Sequence, residues 1–258
     1  MLTFALSLIL VLYSGCDSGG DENGSGRLEE VITTDRVVGD GLEVQAGDVV
    51  SIRYTVKSDD DGSTFDSSDQ GLLFNVGLTT GVFTFIHGSD EAIEGLNMGI
   101  LGMRGGGIRD IRIPFNMAWG RGIDGVVPTQ EDILLEVELF KTPEFTVITQ
   151  GDGPLLNALD TASITFDAED VYTTRPFPSA DHVPYFFLIG RGVSGRIVDS
   201  FPGALSKIAG LHLVLQHMRV GDVYEVSIPP ALGLGASDLL SVPGNSTIVA
   251  ELAVVAVN

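Results

Sequence analysis

The chain has 258 residues, of which 44% are hydrophobic, and it carries 33 glycines and 11 prolines. This composition is typical of a turn-rich folded protein and argues against an intrinsically disordered one. Its 35 acidic and 14 basic residues give a formal net charge of −21. A surface this acidic argues against nucleic acid as a partner, because phosphates are neutralised by lysine and arginine, and against electrostatic docking on anionic lipids.

The N-terminal segment has the features of an export signal. Residues 2–13 form an apolar run of the length of a signal-peptide core, which is too short to span a bilayer. Ser14 and Gly15 precede Cys16, the single cysteine of the chain, in an arrangement that resembles a bacterial lipobox. We expect residues 1–16 to be a lipoprotein signal peptide and Cys16 to be lipidated. The alternative is an ordinary signal peptide with an unpaired cysteine.

Residues 17–30 have the composition of a flexible tether. Glycine, serine and acidic residues dominate the segment directly after Cys16, and such a segment holds a folded domain away from a membrane. The predicted location is therefore the periplasmic or extracytoplasmic side of a bacterial cell membrane or outer membrane. The lipid anchor is the only membrane attachment that we expect.

A long internal repeat defines the organisation of the rest of the chain. The segment 93–139 recurs without a gap at residues 208–254, which is an offset of 115 residues. Solenoid repeats have periods of about 20–50 residues, so this period is that of a whole domain. We predict one domain at residues 31–141 and a second at residues 145–258.

Strands are indicated by residues that alternate between apolar and polar. The alternation runs over residues 50–56 and again over 133–139, as half-buried strands require. The acidic run 57–62 predicts a hairpin turn after the first of these strands. In the second copy, residues 162–166 and residues 185–189 are both candidates for the corresponding first strand.

Each copy also contains one short amphipathic helix. Residues 93–101 carry apolar side chains at helical spacing, with Ser89 or Asp90 as the predicted N-cap. Residues 208–218 repeat the same apolar stripe in the second copy. A short helix packed on an antiparallel sheet predicts the α+β class.

Aromatic and polar residues follow one another in a specific order in the first copy. Phe65 and Asp66 follow the hairpin turn, Phe83 precedes the helix, and Trp119 and Val127 lie between the last two strands. This order and spacing resembles the FKBP-type peptidyl-prolyl cis-trans isomerases over residues 36–141. The resemblance implies two tandem FKBP-like domains, each an antiparallel half-barrel sheet wrapped on a short helix.

The resemblance also implies a pocket that takes a proline ring. The first-copy residues that match the pocket are Tyr54, Phe65, Asp66, Phe83, Ile93, Leu96, Trp119, Val127 and Leu135. By resemblance, Ile93 offers its backbone N–H to the peptide, and Asp66 and Tyr54 border the amide. The implied partners are proline-containing proteins that are unfolded or partly folded.

The implied chemistry needs no cofactor. Rotation about an X-Pro bond has a barrier of roughly 18–20 kcal/mol because twisting breaks amide resonance. The enzyme has only to favour the twisted amide over the planar one, by means of an apolar pocket and fixed dipoles. The four histidines are scattered, without the spacing of metal ligands, so we predict no metal site.

Three pocket residues depart from the family pattern. Leu96 stands where many members have tryptophan, Trp119 where a tyrosine hydroxyl usually donates to the substrate, and Leu135 where phenylalanine is usual. We therefore expect a shallower pocket. The segment 67–82 is also longer than is usual and is placed to shape the entry of a substrate.

The second copy keeps the scaffold but loses the predicted site. Leu234 and Ala250 stand at the positions of Trp119 and Leu135, and Val198 stands where Phe65 is expected. The segment between Val198 and the second helix is too short for a Phe-x-Phe strand. We interpret this copy as a degenerate FKBP-like domain that has a structural role or binds chain segments without catalysis.

Two main functional hypotheses follow. The first is a peptidyl-prolyl cis-trans isomerase of the bacterial cell envelope that acts as a protein-folding catalyst through its first domain. The alternative is a non-catalytic, chaperone-like envelope lipoprotein whose altered pocket only holds proline-bearing or apolar segments. A weaker third option is a structural lipoprotein that uses both domains as spacers.

Overall fold

The structure is a computed structural model that describes residues 27–74, 81–170, 185–188, 208–236 and 244–257. The predicted signal peptide with Cys16, residues 17–26 of the predicted tether, and Val198 lie outside these ranges. None of the helices in the described part of the chain has the length and apolar character needed to cross a membrane.

The first half of the chain forms one antiparallel sheet and one short helix. The strands are β1 (Ile32–Val37), β2 (Val49–Ser58), β3 (Thr64–Ser67), β4 (Phe83–Ile86), β5 (Ile108–Ile113) and β6 (Ile133–Leu139), and the helix is α1 (Glu94–Ile100). The order across the sheet is β1-β5-β6-β2-β3. Strand β4 also pairs with β2, over the first four residues of β2. The predicted α+β class with an antiparallel sheet is confirmed.

The second half repeats this arrangement, with five strands among its described residues. Its elements are β7 (Glu144–Thr149), β8 (Thr161–Asp170), β9 (Tyr185–Leu188), α2 (Ala209–Leu215), β10 (Val223–Ile228) and β11 (Ile248–Val257). The order across this sheet is β7-β10-β11-β8-β9. Strand β8 lies beside β11 as β2 lies beside β6, so residues 162–166 belong to the strand that corresponds to β2. Residues 185–188 form the outer strand instead.

The strand predictions of the first half are confirmed by burial. In β2, Ile52, Tyr54 and Val56 are buried while Arg53 is exposed, because alternate side chains point to opposite faces of a sheet. Strand β6 buries every second residue in the same way. The predicted hairpin turn joins β2 to β3 and contains Gly62 at a φ of +74°, a left-handed conformation that glycine adopts without strain.

Helix α1 begins later than the sequence predicts. Its N-cap is Ile93 and not Ser89 or Asp90, and no side chain caps it. The segment before the helix is instead held by Asn97, whose Oδ1 accepts the Gly88 N–H at 2.8 Å. Leu101, predicted on the apolar face, follows the helix and is 51% exposed.

The C-terminal end of the predicted tether lies against the segment between β5 and β6. The Arg27 guanidinium is 4.2 Å from the centre of the Phe115 ring and donates to Gln130 Oε1 at 3.0 Å. The Leu28 N–H donates to Asp132 Oδ2 at 2.9 Å. The last part of the predicted tether thus contacts the first domain through these two residues.

The two halves meet along one edge of β2. The Gln216 side chain, directly after α2, accepts from the Val49 N–H at 2.8 Å and donates to the Val49 carbonyl at 3.0 Å. Val49 and Val82 are buried in the apolar cluster that surrounds α2. The chain passes from one sheet to the other through residues 140–143, since Glu144, predicted in the linker, is the first residue of β7.

Candidate functional site

A fully buried carboxylate lies at the centre of the predicted site. Asp66 in β3 is 0% exposed, and its Oδ2 accepts from the Tyr54 hydroxyl at 3.0 Å. The backbone N–H groups of Leu73 and Leu72 donate to the same oxygen at 2.8 and 3.1 Å. Charge-assisted hydrogen bonds of this kind offset the free energy that burying a carboxylate costs.

Strand β2 places Tyr54 beside this carboxylate. Tyr54 pairs with Val137 of β6 and points to the buried face, where 1% of the residue is exposed. Burial, together with the negative charge of Asp66, raises the pKa of the Tyr54 hydroxyl far above its ordinary value. The phenol is therefore neutral and acts as the donor in its hydrogen bond with Asp66.

Stacked aromatic rings form one wall of the site. The Phe83 ring in β4 stacks on Phe85, with 4.6 Å between the ring centres, and meets Tyr54 edge-on at 6.4 Å. Phe85 is 0% exposed, and all three rings belong to the same buried apolar cluster. Edge-to-face and stacked pairs of this kind fix the orientation of each ring.

Phe74, which the sequence did not predict as a site residue, packs against this wall. Its ring centre lies 4.9 Å from Tyr54, 5.1 Å from Phe83 and 5.3 Å from Trp119. It follows Leu72 and Leu73, which were missed as well although their N–H groups bind Asp66. The only signal in the sequence is an apolar triplet, Leu72-Leu73-Phe74, within a segment that otherwise has the composition of a loop.

Phe65 and Val127 border an open groove next to this wall. The groove has a volume of about 460 Å³ and is otherwise lined by residues 121–129. Phe65 is half-buried, whereas Val127 is 4% exposed. Trp119 is half-buried and comes two residues after a short 3₁₀ turn, Phe115–Met117.

The remaining predicted residues are Ile93 at the start of α1, Leu96 within α1 and Leu135 in β6. Leu96 and Leu135 are both 0% exposed and belong to the apolar cluster that contains Tyr54. Ile93 is half-buried as the N-cap of α1, and no acceptor for its backbone N–H lies among the residues that the structure describes. Within the described part of the chain, this N–H is therefore left to pair with a carbonyl oxygen from outside the chain.

The second sheet has a different residue at the position of Tyr54. Phe166 pairs with Leu252 of β11, and Leu252 lies 115 residues after Val137, the partner of Tyr54. Phenylalanine has no hydroxyl, so the hydroxyl of Tyr54 that binds Asp66 has no counterpart at this position of β8. Leu234 and Ala250, which stand at the positions of Trp119 and Leu135, are buried, with 7% and 1% of each residue exposed.

The sequence of the first half identifies its family. Residues 41–140 match the family described as FKBP-type peptidyl-prolyl cis-trans isomerase. This part of the chain is an FKBP-type domain. The predicted enzyme class is confirmed at the level of the family, and the domain contains all nine predicted pocket residues.

Individual relatives are similar to the same region. FK506-binding protein 2 of Kluyveromyces lactis is 38% identical over 99 residues, which are 38% of this chain and 65% of that protein. FK506-binding protein 4 of Gibberella zeae is 33% identical over 115 residues, which are 44% of this chain and 21% of that protein. The protein in the crystal structure of AtFKBP13 is 30% identical to this chain in the matched region. The match covers 42% of this chain and 89% of that one, with a TM-score of 0.36. The chain thus spans between a fifth and two thirds of the length of these two FK506-binding proteins.

Proposed function

We propose that the FKBP-type domain catalyses cis-trans exchange of X-Pro bonds in proteins that are unfolded or partly folded. The observation that carries the proposal is the buried Asp66–Tyr54 pair, set beside the stacked wall at Phe83 and next to the open groove at Phe65. The family of residues 41–140 supports the same activity.

The reaction requires only that the twisted amide be bound more tightly than the planar one. Twisting removes the resonance-enhanced dipole of the amide, so apolar walls such as Phe65 and Phe83 favour the twisted state over the solvated planar one. The Ile93 N–H, which has no acceptor among the described residues, offers a fixed dipole to a peptide carbonyl. No proton is transferred in this scheme.

Asp66 acts through the groups that it holds. Its carboxylate fixes the Tyr54 hydroxyl at 3.0 Å and orders the backbone at Leu72 and Leu73. The Tyr54 ring is thereby oriented toward the wall. We assign Asp66 as a positioning residue whose negative charge also contributes to the field around the bound amide.

The assay that tests this proposal is the exchange of a proline-containing tetrapeptide, followed by NMR without a protease. We expect the full chain to accelerate exchange at substoichiometric concentration. A folded chain that binds the peptide but leaves its exchange rate unchanged would refute the proposal.

A non-catalytic peptide-binding role is the second candidate, and the replacement at Trp119 favours it. An indole N–H donates from a different place than a phenol hydroxyl does. The variant Trp119→Tyr separates the two roles. A large gain from a near-zero rate supports a binding protein that lost catalysis, whereas a change of a few-fold from a measurable rate supports the isomerase.

We propose further that the second half is a degenerate FKBP-like copy, each copy being a half-barrel sheet on a short helix. The equal strand order of the two sheets and the place of Phe166 at the Tyr54 position support this proposal. Its role would be structural or the binding of chain segments. Full exchange activity in a variant that combines Phe65→Ala, Asp66→Ala and Phe83→Ala would contradict the assignment of catalysis to the first copy.

The location is proposed from the sequence. We propose that the chain is exported in a bacterial cell and anchored by lipid at Cys16, on the grounds of the apolar run and the lipobox-like residues before this cysteine. Mass spectrometry of the mature protein tests this proposal. A diacylated Cys16 at the N-terminus is expected, and an unmodified thiol would contradict it.

A further inference from the structure

Phe74 packs among residues that are predicted to form the proline pocket. The Phe83 ring has two faces, and Phe85 is stacked on one of them at 4.6 Å. The Phe74 ring centre lies 5.1 Å from that of Phe83, on which it is stacked, and 4.9 and 5.3 Å from those of Tyr54 and Trp119. Phe74 therefore fills the space between the residues to which we assign the proline ring of a client.

The chain passes from an exposed to a buried position just before Phe74. The Leu72 side chain is 62% exposed, whereas Phe74, two residues later, is 3% exposed. The N–H groups of Leu72 and Leu73 are held by Asp66 at 3.1 and 2.8 Å. The same carboxylate that positions Tyr54 thus also holds the segment that delivers the Phe74 ring.

We propose that Phe74 is an internal ligand of the candidate proline pocket and competes with the client peptide for it. This inference rests on the proposed function, since it takes the site at Tyr54, Phe83 and Trp119 to be the pocket for proline. A client enters when the Phe74 ring leaves, so the apparent dissociation constant equals the intrinsic one divided by the fraction of molecules in which the pocket is empty.

This competition has a distinctive thermodynamic consequence. The free energy needed to displace Phe74 is the same for every client, because the displacement precedes any contact with the client's own side chains. Removing the ring should therefore tighten the binding of different peptides by the same factor. A residue that formed part of the pocket wall would have the opposite effect, because its loss would remove contacts with the peptide.

The variant Phe74→Ala, made in the full chain, tests the proposal. The probes are two proline-containing tetrapeptides with alanine or leucine before the proline. Binding is followed by the fluorescence of Trp119, the single tryptophan of the chain, which lies 5.3 Å from Phe74. We expect both peptides to bind about tenfold more tightly to the variant. In the wild type, a bound peptide displaces the Phe74 ring into water, and the variant does not bear this free-energy cost. Gln70→Ala, at an exposed position of the same loop, should bind like the wild type.

Two results would overturn the proposal. Weaker or unchanged binding by Phe74→Ala would show that the ring is part of the wall, and a gain confined to one peptide would show a reshaped pocket. The milder variant Phe74→Leu should give a smaller gain in the same direction, which keeps the test decisive if the alanine variant does not fold. Failure of the proposed function has a separate signature, because peptide would then bind without faster exchange in any variant.

Discussion

The Tyr54 hydroxyl donates a hydrogen bond of 3.0 Å to the Asp66 carboxylate, and both residues are almost completely buried. Tyr54 comes from the long central strand β2 and Asp66 from the short strand β3 that pairs with it. Asp66 also accepts from the backbone N–H groups of Leu72 and Leu73, so the pair connects the sheet to the loop after β3. Stability and pocket geometry depend on the same two side chains.

Replacing Asp66 by alanine should destabilise the fold and reduce activity. The variant leaves the Tyr54 hydroxyl and two backbone N–H groups without their acceptor. We expect a loss of about 2–4 kcal/mol in the free energy of unfolding, measured with urea, because each unsatisfied buried donor is destabilising. Exchange activity should fall several-fold. Asp69→Ala, at an exposed position of the same loop, is the control and should change the free energy by about 0.5 kcal/mol or less.

The stability of the folded chain should fall at high pH through Tyr54. Burial raises the pKa of Tyr54 in the folded state above its value of about 10 in the unfolded chain. The unfolded state then loses the proton first, so this contribution is complete below about pH 10 and decreases as the pH rises further. Urea denaturation of the wild type and Tyr54→Phe measures it. The difference between the two proteins should shrink from pH 9 to pH 11, and a constant difference would contradict this assignment.

Replacing Gln216 by alanine should weaken the junction between the two sheets. The variant removes both hydrogen bonds to the backbone of Val49. We expect the Val49 N–H to exchange with solvent about tenfold faster, and the free energy of unfolding to fall by about 1–2 kcal/mol. Gln45→Ala, at an exposed position near the same edge, should leave this exchange rate unchanged. Equal rates in both variants would show that Gln216 does not hold the junction.

Gly95 is expected to tolerate no side chain. It packs α1 directly against Ile113, and Gly210 packs α2 against Ile228 at the same place in the repeat. A Cβ at Gly95 would overlap the Ile113 side chain, so Gly95→Ala should lower the free energy of unfolding by about 1–3 kcal/mol although alanine favours helix. Met98→Ala, on the exposed face of α1, is the control. A stabilising effect of Gly95→Ala would contradict the close packing.

The buried faces of the strands were predictable because their signal is local. A strand of period two that packs one face on a core must alternate, and β2 and β6 do so. The start of α1 was not predictable in this way. Ser89 and Asp90 have the chemistry of N-caps, but the Asn97 side chain binds the backbone of Ser89 and Gly88 and so holds this segment outside the helix.

The candidate site was predictable only where its residues have fixed positions in the family pattern. Tyr54, Phe65 and Asp66 were found in this way, and the structure brings Tyr54 and Asp66 into contact. Phe74 was missed because it lies in a longer loop, where no periodicity or family position marks it. The backbone before it is held by hydrogen bonds to Asp66, six and seven residues away, and no sequence pattern marks these bonds.

The measurement that tests the central claim most directly is the effect of Phe65→Ala on the exchange rate of a proline-containing tetrapeptide. Phe65 is half-buried at the groove, so its truncation alters the pocket more than the core. Phe145→Ala, at a position 41% exposed in the second sheet, is the matched control. We predict that the full chain accelerates exchange, that Phe65→Ala reduces this several-fold, and that Phe145→Ala does not. Equal activity in all three proteins, or none in the folded wild type, would contradict catalysis at this pocket.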